Sequence, residues 1–382
     1  MAHTGRLLGV DAARALALIG MMATHLEPRL DPDGSTSTAY LIASGRASAL
    51  FAVLAGVGLA LASGATTPPR GRTWRAAAAA TAARAAVIFV VGLILGEFDS
   101  GLAVILCYYG VLFVVAIPFL GLSARWLIGL GAASALLTPV LSLWLRQTIT
   151  TPLDSGVPSF DTLMVDPTGT ISNIVLTGYY PVLTWSAYLL IGMGVGRLAL
   201  GRVWVAAAVA VTGVAVAAAA WFGSRFWLDS GGLDTLREAG LGGHITSGPI
   251  GEELLHTGFY GTTPTTSWAW LGVASPHSGA PPDLLHTTGT ALAVLGVMLV
   301  LARALGPVIW PLAAVGSMTF TLYSLHVVLI ATVLPAENTH ALLIHVLIAF
   351  VIAMPWRMII GRGPLEALAA AASRAAREAV GR

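Results

Sequence analysis

Lysine is absent from this 382-residue chain, and all twenty basic residues are arginine. In a sequence so rich in alanine and glycine this points to coding bias, so arginine alone says little about anion binding. A single cysteine, Cys107, excludes an internal disulfide and any thiolate metal cluster. Charge is scarce as well: Asp, Glu and Arg make up 10% of the chain, against roughly 25% in a soluble domain. No internal repeat is visible, nor the inverted repeat that builds many secondary transporters. The N-terminal apolar stretch lacks a small-residue cleavage site and is interrupted by Asp11 and Arg14. It reads as an uncleaved first span and not as a signal peptide.

What the chain does have is apolar length. Hydrophobic residues make up 56% of it, with a mean hydropathy of +0.82. The expected fold is all-α: a polytopic integral membrane bundle of about ten transmembrane helices. The spans fall near 7–27, 39–62, 76–96, 102–121, 125–145, 179–199, 203–223, 286–304, 309–333 and 338–359. Arg6, Arg70, Arg72, Arg75, Arg125, Arg197, Arg202, Arg303, Arg357, Arg362, Arg374, Arg377 and Arg382 then share one side. Only Arg29, Arg146, Arg225 and Arg237 take the other, so both termini are expected in the cytoplasm. Residues 1–363 form the membrane domain, with extracytoplasmic loops at about 146–178 and 224–285. Residues 364–382 form a cytoplasmic amphipathic tail.

Asp11, Arg14 and His25 all fall in the first span. Arg14 and His25 are eleven residues apart, almost three helical turns, so they share a face about 16–17 Å apart along the axis. Asp11 lies one turn before Arg14. An acid, a guanidinium and an imidazole within a span are costly unless the helix faces a wet or protein-lined cavity, which marks the trio as a functional site. The plainer reading is an intrahelical ion pair that eases insertion, with His25 at headgroup level.

The candidate substrate-binding residues are Arg46, Glu97, His286, Tyr323 and His326. Arg46 lies near the outer end of the second span, level with His25, where it also reads as a snorkelling arginine. Glu97 sits at an outer turn and His286 opens the eighth span. Tyr323 and His326 are one turn apart and able to bond a common partner. Arg70, Arg72, Arg75, Arg197 and Arg202 cluster beside cytoplasmic span ends. Topology alone explains them, yet such guanidinium groups also bind phosphates of a cytosolic donor. Gly56, Gly58, Gly192, Gly194 and Gly196 read as close helix packing. A zinc site from His256, His277 and His286 matches no tight ligand spacing, and no metal is expected.

Arg14, ten intervening residues and His25, in a span opening Leu7-Leu8-Gly9-Val10-Asp11, resemble the signature of the transmembrane acyltransferase superfamily. Ser317 to His326 resembles the late Ser…Leu-Tyr-x-x-His element of its acyltransferase family 3 branch. The overall likeness is closer to the YeiB-like and heparan-alpha-glucosaminide N-acetyltransferase-like branch. It rests on Asp11 and Arg14, on Leu50 to Gly56, on Ile105, Leu106, Tyr109 and Gly110, and on Ile191 to Arg197.

The resemblance implies transfer of an acyl group, usually acetyl, from cytosolic acyl-CoA across the membrane. The acceptor is a hydroxyl or amine of an extracytoplasmic sugar, glycolipid or glycan, and a histidine acts as base or transient acyl carrier. In the heparan-type enzymes that histidine lies in the loop after the first span. Here residues 27–38 contain none, so the role falls on His25, as in the family 3 pattern. Arg14 would line the donor channel or polarise the thioester carbonyl. Acetyl-CoA is the implied donor, membrane lipid and the acceptor the other partners, and the plasma membrane the location. Nucleic acid is not expected, and small-residue helix faces favour a homodimer. The competing class is a proton-coupled secondary transporter that uses Asp11, Arg14 and His25 as a relay.

Overall fold

The computed structural model describes residues 7–148, 156–239, 255–336 and 338–381. Among these the regular structure is helical, apart from one isolated bridge between Leu30 and Thr36. The long helices are α1 (Leu8–Leu26), α2 (Arg46–Ala62), α3 (Gly71–Gly96), α4 (Leu106–Ala116), α5 (Ala124–Thr148) and α6 (Val182–Gly196). They continue with α7 (Val203–Trp227), α8 (Pro281–Ala304), α9 (Gly306–Gly316), α10 (Thr319–Thr332), α11 (Ala341–Ile359) and α12 (Pro364–Gly381).

Among the described residues six helices are long and apolar enough to cross a membrane, or up to eight if each of two bent pairs counts as one span. The expected first and fourth spans are the two outside this set. Asp11 and Arg14 dilute the apolarity of α1, and Leu106–Phe119 is shorter than a bilayer crossing requires. The second expected span is two helices. Thr38–Ala43, capped by Ser37, meets α2 at Ser44-Gly45, where Gly45 adopts φ +70°. Pro139 inside α5 removes a backbone donor, and Thr138 Oγ1 bonds the Ser134 carbonyl one turn back.

Two expected outer loops are more structured than the sequence suggested. Pro167–Thr177 is helical and joins α6 across a 49° bend. Beyond α7 the chain kinks at Ser230-Gly231, where Gly231 adopts φ +105°, and continues as a short helix, Leu233–Glu238. That helix buries Leu236 against Trp270, Val273 and Ala280, with Trp227 and Phe259 packed alongside. This small second core explains why a polar, glycine-rich stretch folds: its tryptophans supply the apolar area that the spacing of the sequence hid.

The helix α1 lies at the centre. Ala12, Ala13, Ala15, Ala17 and Leu18 are all sealed from solvent. Small residues bring the neighbouring backbones close. A Cβ on Gly192 would strike the Val53 carbonyl of α2, and one on Gly56 the Leu189 carbonyl of α6. Neither position has room for a side chain. The substitution Gly192→Leu is therefore expected to cost about 1–3 kcal/mol through overpacking, read as a lower melting temperature in detergent. Gly129, with nothing near its Cβ position, is the tolerant control.

Candidate functional site

At the His25 end of the bundle three histidines form a hydrogen-bonded chain. His25 Nδ1 lies 3.1 Å from His326 Nε2, their rings nearly parallel at 12°. His326 Nδ1 lies 3.0 Å from His345 Nδ1, the two rings edge to face at 82°. His345 Nε2 lies 3.3 Å from the Leu334 carbonyl oxygen. The chain thus links α1, α10 and α11. His326 and His345 are almost fully buried.

His25 also lines a chamber of about 40 Å³ with Thr24, Tyr40, Ser48, Tyr180 and His277. That volume holds a water or two and nothing larger. Tyr40 closes it by donating its hydroxyl to the Thr24 carbonyl at 3.0 Å. Tyr179 packs edge to face with Tyr180 and Tyr260 and at a tilt against His277. Burial pushes the His277 imidazole down to about 3, with His25 and Arg29 adding in the same direction. His277 is therefore a neutral wall of the chamber at ordinary pH.

Arg46 and His286, which the sequence placed at this level, form a pair of their own. Arg46 Nε donates to His286 Nε2 at 3.2 Å, and Nη1 to the Leu41 carbonyl at 2.9 Å. His286 Nδ1 lies 3.0 Å from the Ala217 carbonyl, which fixes the proton on Nδ1. Arg46 opens on a separate apolar groove of about 660 Å³, whose walls Ala43 and Ala47 it shares with the His25 chamber. Arg46 is thus one layer removed from His25.

Two expectations change. Tyr323 and His326 share no partner: the Tyr323 hydroxyl accepts from the Ile105 backbone at 3.2 Å, while His326 bonds only histidines. Glu97 is exposed and remote from both clusters, its carboxylate accepting from the Asp161 backbone at 3.0 Å. It steadies the start of the Phe160–Val165 helix.

The other end of α1 opens on a cavity of about 310 Å³, lined by Arg14, Arg84, Tyr109, Ser317, Arg362 and Glu366, among others. Arg14 Nη1 pairs with Asp11 at 3.0 Å. A Cβ on Gly58 would come within 2.8 Å of Arg14 Nη2, so this glycine makes room for a guanidinium rather than for a helix. Arg84 contacts the Phe113 ring at 5.9 Å. The Tyr109 hydroxyl is buried without a hydrogen-bond partner. Glu366 accepts from the Phe320 backbone at 2.7 Å and from Thr321, so it caps α10. Three guanidinium groups against two carboxylates leave the cavity positive, with one acid already spent on a helix terminus.

The five arginines expected to hold the donor lie elsewhere. Arg70, Arg72, Arg75 and Arg202 are exposed and do not line this cavity. Arg197 is 4% exposed and ties three chain segments together. It donates to the carbonyls of Ala60, Ser63, Ala65 and Leu120 and to Ser63 Oγ. With both Nη groups committed and only the buried Nε unpartnered, this guanidinium is a structural staple. No cluster of three or more His, Cys, Asp or Glu able to hold a metal occurs among the described residues.

The sequence reading missed Arg84, Arg362, Glu366, Tyr109 and His345. For Arg84 and His345 the signal was present: each is a charged or titratable residue inside an expected span, the same feature that singled out Arg14.

Apolar helices thus carry a buried histidine chain at one end and an arginine-lined cavity at the other, as in a helical membrane protein with two polar interior spaces. The catalytic-domain family of heparan-alpha-glucosaminide N-acetyltransferase matches residues 6–226, more than half of the chain, and the chain belongs to this family of membrane acyltransferases. The match carries Asp11, Arg14, His25 and Arg84 and ends before His326 and His345. No curated protein matches the chain.

Replacing Arg197 by methionine leaves up to five buried acceptors unpaired, a loss on the order of 2–4 kcal/mol. The expected outcome is a lower melting temperature and monodisperse yield, with unchanged donor affinity in the fraction that stays folded. A weakened donor affinity at unchanged stability would return Arg197 to the donor site.

Proposed function

We propose that the protein moves an acyl group, chiefly acetyl, from acetyl-CoA bound in the Arg14–Arg84–Arg362 cavity to an extracytoplasmic sugar, glycolipid or glycan at His25. The observation that carries this reading is the placement of Arg14 and His25 at two separate cavities along one rigid helix. Their separation, about 16–17 Å along the axis, is of the order that a pantetheine arm spans. The donor's phosphates meet guanidinium groups, for which they are the natural partners. Its thioester end is directed along α1 toward the histidines.

His25 acts as the base that deprotonates the acceptor, or takes the acyl group itself. Arg14 lines the donor channel and sets how the arm enters it, about 16–17 Å along α1 from His25 and too far to touch the carbonyl under attack. The excess of arginine at the Arg14 end supports a cytoplasmic position for that end and for both termini. In this reading α1, sheathed by its neighbours, also crosses the bilayer of a plasma-membrane protein, and the C-terminal helix α12 lies on the cytoplasmic side. The small chamber at His25 must open to admit an acceptor, so this is the closed form.

Purified protein in a mild detergent with acetyl-CoA tests the reading. Wild-type protein is expected to bind the nucleotide and release free thiol slowly. His25→Ala is expected to bind with unchanged affinity and release none. Arg84→Ala is expected to weaken binding about tenfold, ~1.4 kcal/mol, and Arg14→Ala to retain binding and lose rate. Full turnover in His25→Ala removes His25 from the chemistry. A pH-gradient-driven accumulation of unmodified substrate in vesicles would favour the transporter reading instead.

A further inference from the structure

The tautomers of the histidine chain are fixed from its closed end. The Leu334 carbonyl has no proton to give, so the His345 Nε2 beside it carries the hydrogen. A neutral imidazole carries one such hydrogen, which leaves His345 Nδ1 a bare lone pair. His326 Nδ1, 3.0 Å away, must then be the donor, and its Nε2 is bare in turn. His25 Nδ1, 3.1 Å from that nitrogen, must carry the hydrogen. The one consistent neutral assignment leaves His25 with a free lone pair on Nε2. Reversing any single link sets two lone pairs or two N–H groups face to face.

The carbonyl that anchors this sequence is itself held. Leu334 follows the last turn of α10, and its N–H bonds the Leu329 carbonyl at 2.8 Å. The one helix therefore presents both His326 and, two turns on, the acceptor that orients His345. His345 is at most 2% exposed, so water does not compete for its ring.

We infer that His345 is a positioning residue: with the Leu334 carbonyl it locks His326, and through it His25, in the tautomer whose free nitrogen is Nε2. The inference rests on the acyltransferase reading of His25 and extends it to two residues outside the matched family region. The step it serves balances. The acceptor's hydroxyl or amine attacks the acyl carbon as its proton passes to His25 Nε2. The carbon–sulfur bond breaks, and the departing thiolate takes that proton back. The sum is a thioester plus H–X giving an acyl–X product plus a thiol.

The chain contains no carboxylate and ends on a carbonyl, which cannot keep a proton. It is therefore not a wire to the outside. While His25 is doubly protonated, its Nδ1–H bond to His326 strengthens, and the dipoles of two further imidazoles align behind it. The arrangement does with neutral rings what a buried acid does in a Ser-His-Asp triad, holding tautomer and orientation.

The test is ¹⁵N-histidine labelling of the full chain in nanodiscs, with single variants assigning the ring signals. Wild-type protein is expected to show His25 and His326 protonated on Nδ1 and His345 on Nε2. In His345→Leu, His326 loses its acceptor and His25 is expected to become a tautomer mixture. The turnover number should fall at least tenfold while KM for acetyl-CoA stays within twofold. His345→Asn, whose Oδ1 can accept from His326 Nδ1–H, is expected to restore both the tautomer and most of the rate. Three results overturn the inference: wild-type His25 protonated on Nε2, an unchanged His25 tautomer or rate in folded His345→Leu, or His345→Asn no better than His345→Leu. If His345→Leu does not fold, the wild-type spectrum still decides. Full turnover by His25→Ala, in contrast, would remove the acyltransferase role of His25 and leave the tautomer measurement standing.

Discussion

The fold depends on sheathing one helix. An α-helix that carries an acid, a guanidinium and an imidazole cannot face hydrocarbon, because each group would lose hydration without compensation. The remedy here is to surround α1 with protein. Ala12, Ala13, Ala15 and Ala17 are fully buried, and α9 approaches so closely that a Cβ on Gly316 would strike the Asp11 carbonyl. The two polar ends of α1 then open inward, Arg14 on the positive cavity and His25 on the histidine chain. Elements that would otherwise be independent spans become walls of these two spaces. The break between α9 and α10 is an example: a 59° bend at Ser317-Met318 turns the start of α10 into the cavity and aims its far end at His25.

The bend creates a need that α12 meets. A helix that starts inside a bundle leaves backbone N–H groups without partners. Glu366 reaches across from α12 to cap them, and Ser373 Oγ bonds the Ala80 carbonyl of α3 further along. The last helix is thus tied to the inner cavity through its first turn, so the part of the chain that reads as a surface tail also completes the wall opposite Arg14.

Much of this was legible in the sequence. Apolar runs gave the helices and nearly all their ends, because in lipid the backbone must bond to itself and the periodicity is forced. Asp11, Arg14 and His25 stood out as polar residues in the wrong solvent, and Arg46 and His286 were placed at the correct end, though not as partners. Less legible were features made by chain segments far apart in sequence. The His25–His326 contact joins residues separated by 301 positions, and no local pattern encodes it. The second core around Trp270 was hidden because its apolar residues are isolated among glycines and prolines. Of the two bent helix pairs, the one at Pro167–Gly196 was read as loop plus helix, since Gly178 and Pro181 carry turn signals that the surrounding packing absorbs, and the one at Gly306–Thr332 as a single span.

A chain without lysine also obscures which arginines bind ligands, because one residue type serves topology, packing and chemistry together. Hydrogen-bond accounting separates them. Arg197 donates to five acceptors and is closed to any ligand. Arg46 is held by a histidine and a carbonyl. In the cavity, Arg14 has one carboxylate oxygen at hydrogen-bond distance, and Arg84 is held against an aromatic face. A guanidinium has five N–H donors, so the cavity arginines keep most of theirs for what enters, whereas Arg197 does not. Burial alone would rank them the other way, since the most buried arginine is the least available. Where charge is this sparse, the number of donors still open marks a binding site better than the number of charges.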